Sequence, residues 1–198
     1  MTELAADARQ DFAAGEIAKL QRGLESLLSA EYLQRIAAVT DEVVRALRSS
    51  RRVFFCGNGG SAADAQHLAA ELVGRQNFDR APAAGIALTV DSSVLTCVGN
   101  DFGWEQVFAR QVTALGQPGD VLFGISTSGR SANVVAALAA AREAGLATVA
   151  FTGREPREMA GADHVLAVPA DETAKIQELL LVAGHIIFAQ VERIMFGD

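Results

Sequence analysis

The sequence predicts an α/β domain built on a doubly wound, five-stranded, mostly parallel sheet, with helices before the first strand. Three observations lead there. Five short apolar runs alternate with helical segments along residues 51–198. The runs are continuous and not alternating, which marks strands buried on both faces. Helices between such strands demand parallel crossovers, the arrangement of doubly wound folds.

From Glu3 to about Ser49 the pattern is helical, with Leu20, Leu24, Leu27 and Leu28, then Val43, Val44 and Leu47, recurring at three and four. Thr40-Asp41-Glu42 reads as a helix start, so two helices are expected in this stretch. The strands follow as Val53–Cys56, Ile86–Thr89, Val121–Ile125, Thr148–Phe151 and His164–Val168. A helix from Ala62 to Val73 follows the first strand, and a long one starts near Thr173, after the Pro169-Ala170-Asp171 turn. No linker interrupts the 198 residues, and the length suits one sizeable core. A single domain over 1–198 is therefore expected, with residues 1–50 as its helical region and 51–198 as its α/β core.

Composition narrows the function. The formal charge of −7 repels nucleic acid and anionic membranes, so an anionic ligand needs a local site of N–H groups and hydroxyls. The two cysteines, Cys56 and Cys97, have no metal or redox spacing and are expected as buried, reduced thiols. Met1–Asp7 is acidic without an apolar core, so no signal peptide is expected. The longest apolar stretch, near Leu179–Ala189, is broken by Gly184 and His185 and falls short of the roughly 20 residues of a span. A cytoplasmic protein is the expectation.

In doubly wound folds ligands bind beyond the carboxyl ends of the strands. After the first strand stands Gly57-Asn58-Gly59-Gly60-Ser61, opening a helix. It is neither a Walker A sequence nor a Gly-x-Gly-x-x-Gly fingerprint, yet its glycines let backbone N–H groups approach an anion. After the third strand stands Ser126-Thr127-Ser128-Gly129-Arg130-Ser131, whose four hydroxyls at a helix start can wrap a phosphate. A plain helix cap would need only one. Two such loops on neighbouring strands point to a phosphate site. His67 and Glu71, four apart, share a helix face. Gln177 and His185, eight apart, do so only approximately.

Together with Cys97-Val98-Gly99-Asn100-Asp101-Phe102-Gly103 and Lys175-Ile176-Gln177-Glu178, these loops resemble the sugar isomerase (SIS) domain family from about Val53 to the end, and most closely its phosphoheptose isomerases. The resemblance implies interconversion of sedoheptulose 7-phosphate and D-glycero-D-manno-heptose 7-phosphate through an enediol. It places Ser61, Ser126, Thr127, Ser128 and Ser131 around the phosphate, with Asn58, Gly59, Gly60, Arg75, Asn100, Asp101 and Gln177 also contacting substrate. It makes Glu71 the carbon base and His185 the complementary acid/base. It also implies zinc, one ion per subunit, on His67, Glu71, Gln177 and His185, and a homotetramer with active sites at subunit interfaces. Asp101 could assist ring opening or bind hydroxyls, or equally serve as an Asx-turn residue.

Ala174 and Leu181 stand where some members of that family carry an acidic residue and a histidine. Two other readings stay open. One is a partner-binding SIS protein of the DnaA initiator-associating type, whose pattern lacks the residues matching Glu71 and His185. The other is an isomerase of a different phosphosugar, because phosphate loops do not report chain length.

Overall fold

In the computed structural model, which describes residues 6–197, the apolar runs become five strands: β1 (Val53–Gly57), β2 (Gly85–Ala87), β3 (Val121–Ser126), β4 (Ala147–Thr152) and β5 (His164–Ala167). They pair in the order β2-β1-β3-β4-β5, and every pair is parallel. The second strand is shorter than expected and ends at Ala87. Seven α-helices accompany them: α1 (Ala6–Leu27), α2 (Ala30–Arg48), α3 (Gly60–Val73), α4 (Ser92–Phe102), α5 (Ala109–Leu115), α6 (Ala132–Glu143) and α7 (Thr173–Phe196).

The strands read as unbroken apolar runs because both of their faces are covered. Phe55, Phe123, Phe151 and Leu166 point to one side, into a core shared with Ile36 of α2, Leu68 of α3 and Leu179 of α7. Phe54, Cys56, Leu122 and Ala150 point to the other, against Val98 of α4, Val112 of α5 and Val134 of α6. Phe188 of α7 meets Phe55 edge-on, with ring centroids 5.6 Å apart. Each such fully buried side chain contributes about 1.5–3 kcal/mol by leaving water. The α7 helix has a mean hydropathy of 1.6 over its most apolar 18 residues, enough by length and composition to cross a membrane. Here one face of the helix is committed to the core, with Leu179, Ala183, Ile187 and Val191 buried, while Ile186 and Ile194 stay exposed.

The N-terminal helical region divides at Ser29 and not at Thr40. Ser29 has extended backbone, and its hydroxyl accepts the Tyr32 N–H at 3.3 Å, an N-cap for α2. Thr40 lies inside α2, where its hydroxyl faces Ile36 O at 3.0 Å and Gln190 Oε1 at 2.9 Å, so it serves the helix from within. The expected start at Glu3 lies outside the described residues. Of the two thiols, Cys56 is buried and burial pushes it up to about 12, whereas Cys97 is exposed on α4, contrary to expectation.

The strand order places the topological switch between β1 and β3, whose following helices α3 and α6 cover opposite faces. The glycine loop and the serine loop are the two walls of that crevice.

Asp163, just before β5, ties the two last strands together by accepting the Thr148 N–H at 2.8 Å and the Thr148 hydroxyl at 2.7 Å. Burial pushes its carboxyl up, but the Thr148 donors and the charges of Arg142 and His164 outweigh it and hold it below its ordinary value. A lowered carboxyl contributes stability above its unfolded pKa of about 4 and loses it as pH falls through the folded value. Asp163→Asn is expected to lower stability by about 1 kcal/mol in urea titration at pH 7, with the gap closing below about pH 4. A gap that persists in acid would refute this role.

Candidate active site

The two loops at the switch point are built differently. In the glycine loop Gly59 has φ +57°, and a side chain on Gly57 would come within 2.7 Å of the Ser61 carbonyl. In the serine loop Gly129 has φ +66°, and a Cβ there would press on the backbone oxygens of Glu155 and Pro156. Ser131 occupies the cap position of α6 without capping it. Its hydroxyl instead meets Ser126 Oγ at 2.8 Å, while Ser126 and Ser128 stand 3.5 Å apart. The hydroxyls thus form a cluster of their own at the start of a helix, where the macrodipole favours an anion. Ser61 is buried at the first turn of α3, and Thr127 is half-buried, its carbonyl accepting the Gly153 N–H at 3.2 Å from the segment after β4.

Asn58 and Asn133 join the two loops. Each amide donates to the other at 2.8 Å, a reciprocal pair in which both side chains are matched. Asn133 is buried at the first turn of α6. Asn58 was expected to face the sugar; its amide is turned onto Asn133.

The second half of the site lies along α3 and α7, which run parallel on one face of the sheet. A Cβ on Gly60 would collide with the Gln177 amide, and one on Gly184 would come within 2.7 Å of Leu68 Cδ2. This close approach lets residues two turns into α3 meet residues from the middle of α7. His67 Nε2 and His185 Nε2 are 2.7 Å apart, and His67 Nε2 is 3.3 Å from Glu71 Oε1. With both facing nitrogens at hydrogen-bond distance, a single proton on one of them satisfies the pair. Glu71 Oε2 is buried and has no partner among the described residues.

One ligand atom from each of His67, Glu71 and His185 lies within 4.8 Å of the others. Two imidazoles and a carboxylate with an unpartnered oxygen are a donor set suited to a divalent metal ion. Gln177 sits about 12 Å of helix rise nearer the glycine loop than His185, its amide against Gly60.

Other expected residues are not drawn into this cluster. Arg75 is exposed one turn beyond Glu71, past the end of α3. Asn100 and Asp101 are exposed at the end of α4, where the Asn100 amide donates to Asp101 at 2.7 Å and Cys97 Sγ lies 3.6 Å from the same carboxylate. Two residues escaped the sequence reading. Asn133 carries no motif of its own. Asp64, one turn before His67 on α3, has a buried unpartnered oxygen; burial pushes its carboxyl up, against the opposing charge of His67. Its spacing of three from His67 was the available signal.

Fold and site together define a sugar-isomerase-type domain, and the chain belongs to the SIS domain family, whose model matches residues 17–153. More particularly, it resembles phosphoheptose isomerases. It is 52% identical over 165 residues to that of Nitratidesulfovibrio vulgaris, covering 83% of this chain and 79% of the relative. It is 47% identical over 183 residues to that of Burkholderia pseudomallei, covering 91% and 93%. Among solved structures, a phosphoheptose isomerase from Neisseria gonorrhoeae superimposes with a TM-score of 0.84 at 39% identity, over 92% of this chain and 98% of that one. One from Francisella tularensis gives 0.88 at 31% identity, over 93% and 98%.

The amide pair generates a prediction. Asn133→Leu leaves the half-buried Asn58 amide without its partner, which costs about 1–2 kcal/mol. Calorimetric titration with a sugar phosphate is expected to show at least about a tenfold loss of affinity. Unchanged affinity in a folded variant would remove Asn133 from the site.

Proposed function

We infer that the chain is a phosphoheptose isomerase that interconverts sedoheptulose 7-phosphate and D-glycero-D-manno-heptose 7-phosphate. The observation that carries this reading is the convergence of His67, Glu71 and His185 beside two phosphate-suited loops. Close identity to phosphoheptose isomerases over most of the chain supports the choice of sugar. The spacing agrees with a long substrate. Seven helical steps along α3 take Gly60 to His67, about 10 Å of rise, which is the reach of an extended six- or seven-carbon sugar phosphate and beyond that of a triose.

In this reading Ser61, Ser126, Thr127, Ser128 and Ser131 hold the phosphate, and the N–H groups of Gly59 and Gly60 approach it. Neutral donors suit a chain whose net charge is already negative. Glu71 removes a proton from C1 of the ketose while His185 delivers one to the C2 oxygen, giving the enediol. Glu71 then returns its proton to C2 and His185 takes the C1 hydroxyl proton, leaving the aldose with both residues restored. Gln177, between the loop and the acid/base pair, orients the sugar. Arg75, Asn100 and Asp101 are exposed, and in this reading they complete a site across a subunit boundary.

Zinc would be held here by His67, Glu71 and His185; Gln177, expected as a further ligand, keeps its amide against Gly60, about 12 Å of helix rise from His185, and is left to the sugar. When bound, it supplies polarisation of the carbonyl. The assembly is a homotetramer. Phe12, Ile17 and Leu28 on the N-terminal helical region are 67%, 61% and 72% exposed, apolar surface that a second copy would cover. The location is the cytoplasm, in keeping with two free thiols.

The decisive assay follows sedoheptulose 7-phosphate by NMR with purified protein. An aldose phosphate is expected to appear, with turnover falling by about 10²–10⁴-fold in Glu71→Gln and in His185→Ala. Absence of turnover with any ketose phosphate, alongside specific capture of a replication protein, would overturn the enzyme reading. Metal analysis and light scattering of protein purified without a polyhistidine tag are expected to return one zinc per chain in a tetramer. A fully active metal-free sample would remove the zinc, and a monomer would remove the shared site.

A further inference from the structure

The segment that follows α3 ties both reacting residues to a single buried carboxylate. Glu192 lies two turns beyond His185 on α7, and its side chain is 1% exposed; that of Arg80 is 4% exposed. Glu192 Oε1 accepts the Gln76 N–H at 2.9 Å and Arg80 Nε at 3.2 Å. Its Oε2 accepts the Asn77 N–H at 2.8 Å and the Asn77 amide at 3.1 Å. Burial pushes this carboxyl up, yet the N–H donors and the Arg80 charge outweigh it and hold it below its ordinary value, so it stays ionised.

The remaining donors of this cluster run to the catalytic helices. Arg80 gives one N–H to the Glu71 carbonyl at 2.6 Å and another to the Leu72 carbonyl at 2.7 Å. These belong to the last turn of α3, whose carbonyls have no partner within the helix. The Gln76 amide donates to the His185 carbonyl at 3.0 Å. The Phe196 ring covers the guanidinium, 5.1 Å from its centroid. The backbones of Glu71 and His185 are therefore each held by one bond from a hub whose centre is Glu192.

We propose that Arg80 and Glu192 are positioning residues for the isomerase reaction: their buried pair, with Gln76, sets the place of Glu71 on α3 relative to His185 on α7. This rests on the function proposed above. Stability alone does not account for the arrangement, because desolvation largely offsets the attraction of a buried ion pair and apolar side chains of similar volume usually serve as well. An apolar pair cannot, however, donate to the Glu71 carbonyl or fix residues 76 and 77. Misplacement by about 1 Å at a reacting centre can cost about 100-fold in rate. The carboxylate and imidazole must reach one substrate together, so the loss should fall on kcat.

The test is the paired replacement Arg80→Met with Glu192→Leu, beside the milder Gln76→Met, in the full-length protein as purified. Thermal unfolding, steady-state kinetics with sedoheptulose 7-phosphate and imidazole ¹⁵N shifts are measured for each. The paired variant is expected to unfold at a lower temperature, because the Gln76 and Asn77 N–H groups and the Glu71 carbonyl lose their partners. While folded, it is expected to lose at least about tenfold in kcat with KM within about twofold, and to shift the His67 and His185 nitrogens while His164 stays put. Gln76→Met should show the same split more weakly, and it decides the matter if the paired variant does not fold. Wild-type kcat and unchanged His67 and His185 shifts in a folded variant would overturn the proposal. If the wild type turns over no ketose phosphate, the functional reading falls and the nitrogen shifts alone decide whether the hub positions the two helices.

Discussion

The contact on which the rest depends is the parallel packing of α7 along α3. Both helices follow parallel strands and lie on the same face of the sheet, so both begin at the carboxyl edge and run back beneath it. Glycine at two points lets them approach closely, Gly60 under Gln177 and Gly184 over Leu68. At that separation His67 and His185, 118 residues apart in sequence, stand with their Nε2 atoms 2.7 Å apart. A pair of helices held at a more usual distance by side chains in those places would leave the imidazoles out of reach.

The same helix α3 links chemistry to recognition. Its first turn carries Ser61 and the glycine loop, and its second and third turns carry His67 and Glu71. Any shift of α3 along its axis would move the phosphate loop and the acid/base group together. The serine loop is held to this frame by the Asn58–Asn133 amide pair across the switch point. At the far end the Glu192 carboxylate closes the frame by binding the chain just past α3. Phosphate, acid/base pair and hub thus follow one another along a single helix–helix contact.

Most of the strand layout was legible because burial on both faces writes itself as unbroken apolar runs, and four of the five expected strands match to within one residue at each end. The division of the N-terminal helices was not. Thr40-Asp41-Glu42 has the composition of a helix start, but Thr40 bonds within α2 and to Gln190, a residue 150 positions away. The capping Ser29 sits between helical residues with no break in pattern to mark it. Asn133 was silent for a similar reason. Its role is a side-chain pair with a residue 75 positions distant, and an asparagine at a helix start is ordinary in sequence.

By itself the sequence determined the fold class, the two phosphate-suited loops and the common face of His67 and Glu71. Each is a local matter, written in apolar runs, in glycine and serine spacing, or in a helical period of 3.6 residues. The resemblance groups His185 with His67 and Glu71, but only the tertiary structure brings it into contact, turns Asn58 to Asn133 and sets Arg80 and Glu192 behind both helices. The amide pair depends on β1 and β3 being neighbours, and the other two on the register of α7 against α3. That register is set by two glycines and a buried carboxylate far apart in the chain, and no local spacing records it.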